Sequence, residues 1–311
     1  MRKPIHHLTR RTFVGSLAGL GAATAMPALG QTPASGAILK KPIPRTGEQI
    51  PAIGLGTWIT FNVGGDERLR AARTQVMQTF FDRGGALIDS SPMYGSSEAV
   101  IGHGLARIRN RAALFSAGKV WTMFKPLGVS QMEASRKLWG VERFDLMQVH
   151  NLLDWSSHIE TLKVMKAEGR VRYIGITTSQ GWRHGDLEQI MRSQPIDFVA
   201  FTYNVLDRDV EDRLLPLAAD KGIAVIINRP FQEGVLIERM KHHPLPPWAG
   251  EIDCANWAQF LLKFIVSHPA VTCAIPATRR VDHMEENMGA LRGRLPDAKM
   301  RARMARYAET V

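Results

Sequence analysis

The chain has 311 residues, 45% hydrophobic content and a formal charge of +11, which is enough apolar material for two ordinary domains or for one barrel of about 250 residues with extensions. Such a composition excludes a disordered chain and a membrane bundle. The basic residues are scattered, with no Lys/Arg block interleaved with aromatics, so a nucleic-acid partner is not expected.

Residues 1–30 hold Arg2, Lys3, Arg10 and Arg11 and no acid, so part of the positive excess belongs to this segment. Thr9-Arg10-Arg11-Thr12-Phe13 followed by VGSLAGLGAATAMPALG resembles a twin-arginine export signal. That resemblance implies passage through the twin-arginine (Tat) export machinery and a periplasmic or exported mature protein. Gly15, Gly19, Gly21 and Pro27 leave the run too short and too weakly apolar for a transmembrane helix, so no integral membrane segment is expected in the mature chain. Cleavage is expected near Gly30, with Ala23-Thr24-Ala25 as a competing site. The alternative is a basic tail on a cytoplasmic enzyme. Residues 31–49 read as a linker or short hairpin, and 50–311 as the folded body.

From residue 50 onward, short apolar runs alternate with longer amphipathic stretches. The expected strands are 53–58, 86–91, 113–119, 145–150, 173–178, 198–204, 224–230 and 271–277. Helical periodicity covers roughly 66–83, 97–108, 129–140, 154–169, 184–193, 208–221, 251–267 and 281–291. Asp154 and Asp209 suit helix starts, and Gly84, Gly140, Gly169 and Gly222 suit helix ends. Strand-then-helix units in series predict an α/β fold, a single-domain (β/α)8 TIM barrel with parallel strands and its chemistry at their C-terminal ends. A doubly wound sheet competes, but no Gly-x-Gly-x-x-Gly follows an early strand of the mature chain. The connection Phe231–Gly250 is long for a barrel and is expected to lie over the mouth. About 20 residues after the last helical stretch read as a tail, so no long C-terminal lid is expected. Cys254, in a predicted helix, and Cys273, in a predicted strand, are expected to be buried free thiols.

Four polar residues fall at or just beyond successive predicted strand ends: Asp89, Tyr94, Lys119 and His150. In a parallel barrel these ends share one face, so residues distant in sequence meet. Tyrosine, with an ordinary pKa of about 10, needs a nearby cation to act as an acid near neutrality. A lysine about 4 Å away would favour the phenolate by roughly 4 kcal/mol at an effective dielectric of 20, an upper figure. Burial tends to neutralise lysine, and Asp89 is placed to counter that. His150 would orient a carbonyl oxygen or assist proton delivery. The set reads as a proton donor aimed at a developing alkoxide, and His150 alone does not make a metal site.

The motifs IPAIGLGTW (50–58), LIDSSPMYGSSEAVIG (87–102), LFSAGK (114–119), DLMQVHN (145–151), GRVRYIGITT (169–178) and AIPATRRVDHMEENMGA (274–290) together resemble the aldo-keto reductases, NADPH-dependent carbonyl reductases on a (β/α)8 barrel. The resemblance implies Tyr94 as general acid, Lys119 lowering its pKa, Asp89 supporting Lys119 and His150 orienting the carbonyl. It places Gly56, Thr57 and Trp58 at the border of cofactor and substrate, and Thr177 and Thr178 at the nicotinamide carboxamide. Asn204, Asn228, Arg229 and Pro230 fall in the cofactor channel. Thr278, Arg279 and Arg280 match the adenosine 2′-phosphate site, and Glu286 and Asn287 the adenine contacts. NADPH/NADP+ is thereby favoured over NADH, with an aldehyde, ketone or quinone-like carbonyl as substrate.

Trp58, Trp121, Trp155 and Phe231 are the expected pocket walls. Thr178, Ala200, Asn228 and His283 depart from the family pattern, and INRPF (227–231) suggests that Asn228 and Arg229 clamp the cofactor by hydrogen bonds instead of a stacked ring. A cofactor-binding or sensing barrel with little turnover is the alternative function.

Overall fold

The computed structural model describes residues 37–311, which belong to one compact unit; the twin-arginine-like segment lies outside the described residues. Eight parallel strands form the wall of a barrel: β1 (Leu55–Gly56), β2 (Leu87–Asp89), β3 (Phe115–Val120), β4 (Phe144–His150), β5 (Val171–Thr177), β6 (Phe198–Thr202), β7 (Ala224–Asn228) and β8 (Cys273–Ala274). Each pairs with its neighbour in sequence, with Ile88 opposite Ser116, Lys119 opposite Gln148 and His150 opposite Thr177.

The seam between β8 and β1 closes through Gly54 N–H to Ala274 O (2.8 Å), Gly56 N–H to Pro276 O (3.0 Å) and Ala274 N–H to Ala52 O (2.9 Å). Glycine is required here because a Cβ would lie 2.8 Å from Leu87 O at position 54 and 2.6 Å from Ile275 O at position 56. These seam strands are shorter than the sequence predicts, since the backbone leaves the ladder almost as soon as it has bonded across.

The helices are α1 (Glu67–Asp82), α2 (Ser97–Leu105), α3 (Lys125–Trp139), α4 (Trp155–Ala167), α5 (His184–Ser193), α6 (Leu214–Lys221), α7 (Val235–Met240), α8 (Trp257–Val266), α9 (Val281–Gly289) and α10 (Ala298–Thr310). Gly140 and Gly222 end α3 and α6 in the left-handed conformation, as the glycine positions predict. Asp154 precedes α4 but does not cap it; its carboxylate accepts Phe124 N–H at 2.8 Å. Asp209 opens a separate 3-10 turn before the shortened α6. Cys254 is buried ahead of α8 rather than within it, and Cys273 is buried in β8. The helix α10, unread in the sequence, buries only Met304, Ala305 and Ala308, with Arg303 and Arg306 exposed beside them, so its apolar period is faint.

Two apolar layers follow from the period-2 alternation of the strands. Leu87, Phe115, Ala117, Leu146, Tyr173, Phe198, Ala224 and Ile226 point inward and fill the barrel, while the outward residues pack against the helices. An antiparallel hairpin, Lys40–Pro42 with Gln49–Pro51, adds Ile43 and Ile50 to the inner layer. Tyr173 O–H donates to Glu48 at 2.6 Å, and Glu48 also pairs with Arg172, which ties the hairpin to the start of β5 and leaves the opposite end of the barrel for polar groups. Among the described residues no helix is long and apolar enough to cross a membrane.

Candidate active site

The inward alternation that fills the core turns polar as the strands reach their C-terminal ends. Asp89 follows Leu87, Lys119 follows Phe115 and Ala117, Gln148 and His150 follow Leu146, and Thr177 follows Tyr173 at the same parity. One rule therefore accounts for both the packed interior and the polar layer above it.

Asp89 and Lys119 are 2% and 3% exposed and form an ion pair. Lys119 Nζ also donates to Ser90 O at 3.1 Å, and Gln148 Nε2 donates to the other Asp89 oxygen at 3.1 Å. Ser91 caps a 3-10 turn, Pro92–Tyr94, by accepting Met93 N–H at 3.2 Å, and Gly95 (φ 60°) ends it; this turn carries Tyr94 over the pair. The Lys119 ammonium lies 5.0 Å from the Tyr94 ring centroid. His150 meets that ring edge-on at 5.6 Å, and Trp58 lies against it at 5.0 Å.

Burial alone would lower the Lys119 ammonium, but Asp89 and Tyr94 outweigh it and the net shift is upward, so the lysine stays charged. For Tyr94 burial dominates: it pushes the phenol above the ordinary tyrosine value against the pull of Lys119. The lowering expected from the sequence is thus reversed in the free protein, because enclosing the phenolate removes more hydration than one lysine, already shared with Asp89, restores. Burial and the Lys119 charge push His150 down to about 2, which makes it a neutral ring at any ordinary pH.

Tyr94, Lys119 and His150 open into a cavity of about 730 Å³. Gly56, Thr57 and Trp58 border it after β1, where Thr57 Oγ1 donates to Asp89 O at 2.8 Å. Thr177, Asn228, Arg229, Pro230 and Phe231 line it further round, and Thr278, Glu286 and Asn287 line the part near α9. The long connection supplies Phe231, Gly234 and Ile237 as wall, in keeping with its expected place over the mouth.

Other predicted residues do not reach the cavity. Thr178 is one position out of phase with Thr177, and its Oγ1 is buried without a partner. Asn204 builds its own loop, accepting Leu206 and Asp207 N–H at 3.0 and 2.9 Å. Arg279 and Arg280 are exposed beside the start of α9, where Arg280 is paired with Asp282. Trp121 is fixed from outside by Gln131, which accepts its N–H at 2.6 Å and donates to its carbonyl at 2.9 Å. Trp155, at the start of α4, packs on the outer core. Neither tryptophan lines the cavity: Trp121 lies just past the end of β3 and Trp155 is the first residue of α4.

The hydrogen-bond clamp expected at INRPF is not free either. Asn228 donates to Thr178 O at 2.8 Å and accepts from Thr202 Oγ1 at 2.8 Å, and Arg229 is paired with Glu233. Asn228 therefore joins the ends of β5, β6 and β7. Sequence reasoning missed Gln148, Ser91, Ile59, Met93, Trp182 and Trp257; all but Gln148 and Ser91 line the cavity directly. Gln148 was legible in principle, since it shares the inward parity of His150.

A (β/α)8 barrel that gathers an aspartate, a lysine, a tyrosine and a histidine at its strand ends narrows the class of protein. The family model described as the Aldo/keto reductase family matches residues 52–305, and the chain belongs to that family. It is an oxidoreductase acting on carbonyl groups. Among curated relatives, methylglyoxal reductase YeaE of Escherichia coli (strain K12) is 26% identical over 260 residues, covering 81% of this chain and 89% of that one. The NADH-specific methylglyoxal reductase of the same organism is 26% identical over 233 residues, with 63% and 68% covered. An aldo-keto reductase from Klebsiella pneumoniae, solved in complex with NADPH, shares the fold with a TM-score of 0.70 at 24% identity, over 87% of this chain and 96% of that one.

Proposed function

We propose that the protein reduces an aldehyde, ketone or quinone-like carbonyl with NADPH, using Tyr94 as general acid. The observation that carries this reading is the convergence of Asp89, Lys119, Tyr94 and His150 at one end of the cavity. Bound NADPH supplies a hydride to the carbonyl carbon. Tyr94 gives its proton to the carbonyl oxygen, Lys119 stabilises the phenolate left behind, and solvent restores the proton. Asp89, held by Gln148, keeps Lys119 charged, and neutral His150 donates a hydrogen bond to the same oxygen.

The residues present fit an elongated nicotinamide cofactor. The cavity extends from the strand-end layer to α9, whose N-terminus has no side-chain cap, and buried Asn287 faces it there. Arg279 and Arg280 favour a 2′-phosphate, whereas Asp282 opposes it, so NADPH preference rests on which charge dominates. On the substrate side Trp58, Ile59, Met93 and Trp182 make an apolar wall suited to an apolar or planar carbonyl.

The test is NADPH oxidation by the full chain with methylglyoxal, 4-nitrobenzaldehyde, a dialkyl ketone and an ortho-quinone, with Tyr94→Phe in parallel. Turnover unaffected by Tyr94→Phe would sink the mechanism. Tight NADPH binding with no turnover of any carbonyl would instead favour a sensing barrel, a reading supported by the engagement of Asn228 with Thr178 and Thr202. We further propose export in folded form, from Arg10-Arg11 and the weakly apolar run that follows. Arg10→Lys with Arg11→Lys should retain the protein in the cytoplasmic fraction.

A further inference from the structure

We propose that Ser91 fixes the tautomer of His150, turning Nδ1 to its own hydroxyl and leaving Nε2–H to meet the substrate carbonyl oxygen; this rests on the carbonyl reduction proposed above. Ser91 is fully buried, and its Oγ lies 2.7 Å from His150 Nδ1. A serine hydroxyl has one proton to donate and two lone pairs. One lone pair accepts Met93 N–H. The only acceptor within reach of the proton, among the described residues, is His150 Nδ1. With the opposite tautomer, Nδ1–H would donate to Ser91, the buried serine proton would have no acceptor, and Nε2 would present a lone pair to a carbonyl oxygen that is itself an acceptor. Both consequences are unfavourable, and both disappear when Ser91 donates.

The same serine therefore serves two members of the cluster. Its oxygen caps the turn that carries Tyr94, and its proton orients His150, although it touches neither substrate nor cofactor. Ser91 is a positioning residue. The ring it holds is neutral, as a fixed single donor requires.

The experiment combines nitrogen-15 NMR of histidine-labelled full-length protein, with His150 assigned by its loss in His150→Gln, and kcat/KM for 4-nitrobenzaldehyde. Wild type and Ser91→Thr, which keeps the hydroxyl, should both show the Nε2–H tautomer. Ser91→Ala should show a mixed or Nδ1–H ring and lose about 10- to 100-fold in kcat/KM, the range for removing an orienting partner. Adding Ser91→Ala to His150→Gln should cost clearly less than the product of the two single losses, the remainder being the lost cap of the Tyr94 turn. An Nδ1–H ring in wild type overturns the proposal, as does an unchanged tautomer or unchanged kcat/KM in Ser91→Ala, or a full multiplicative loss in the double variant. Should Ser91→Ala not fold for want of its cap, the wild-type and Ser91→Thr spectra decide. Absence of any carbonyl turnover by wild type would defeat the proposed function, while the spectra would still decide the role of Ser91.

Discussion

Asp89 and Lys119 sit on adjacent strands with their side chains paired beneath Tyr94, almost wholly out of water. Removing one partner of a buried pair leaves an uncompensated charge. Lys119→Met should therefore lower unfolding stability by about 3–5 kcal/mol, read from a shift in urea midpoint, and abolish turnover. Replacing both, Asp89→Leu with Lys119→Met, should recover much of the stability and none of the activity. A double variant as unstable as Lys119→Met would show that the pair is needed for folding itself.

The pH dependence follows from the directions of the shifts. Tyr94 must be protonated to act in reduction, and its upward shift keeps it so beyond the ordinary tyrosine value. The rate of carbonyl reduction should be level through neutrality and fall only above about pH 10. Alcohol oxidation needs the phenolate and should rise over the same alkaline range. With His150 pushed down to about 2, no step belonging to it should appear near pH 6.5, the ordinary histidine value. An inflection there that vanishes in His150→Gln would contradict a neutral ring.

Trp182 is 67% exposed yet lines the cavity, whereas Trp121 is 40% exposed and does not. An apolar substrate would cover the first and leave the second in water. Trp182→Ala should raise KM for an aromatic aldehyde by about tenfold, within the range that a lost apolar contact produces, with little change for methylglyoxal. Trp121→Ala should leave both values near wild type. Equal effects at the two positions would argue for general loosening of the mouth.

Arg280 and Asp282 neutralise each other at the start of α9. If a 2′-phosphate binds there, Asp282→Asn should increase the preference for NADPH over NADH by about two- to fivefold, as expected for one exposed charge, and Arg280→Ala should decrease it. Both effects should shrink in high salt. Measured as the ratio of kcat/KM for the two cofactors, an unchanged ratio in both variants would place the phosphate elsewhere.

How far the sequence reached can be judged from the residues themselves. LIDSSPMYG announced Asp89 and Tyr94 because an acid ending an apolar strand must find a partner, and Lys119 was marked by its place at the end of the next predicted strand. Where alternation ran out, the reading failed. Thr178 fell on the wrong phase, Trp121 and Trp155 lay past the strand ends, and Trp182 sat in a loop whose course no period describes. The engagement of Asn228 was also invisible, since its partners Thr178 and Thr202 come from two other strands.

By itself the sequence determined which residues could alternate inward, and hence the barrel, its packed interior and the polar layer at one end. That information is local: strand period, turn residues and the cost of burying charge act between near neighbours in the chain. The tertiary structure alone decided protonation and orientation. Tyr94 is raised rather than lowered because the surrounding fold encloses it, and His150 has a defined face because Ser91, 59 residues earlier, lies 2.7 Å from one of its nitrogens. Desolvation and hydrogen-bond geometry depend on everything packed around a group, and only the folded chain sets that.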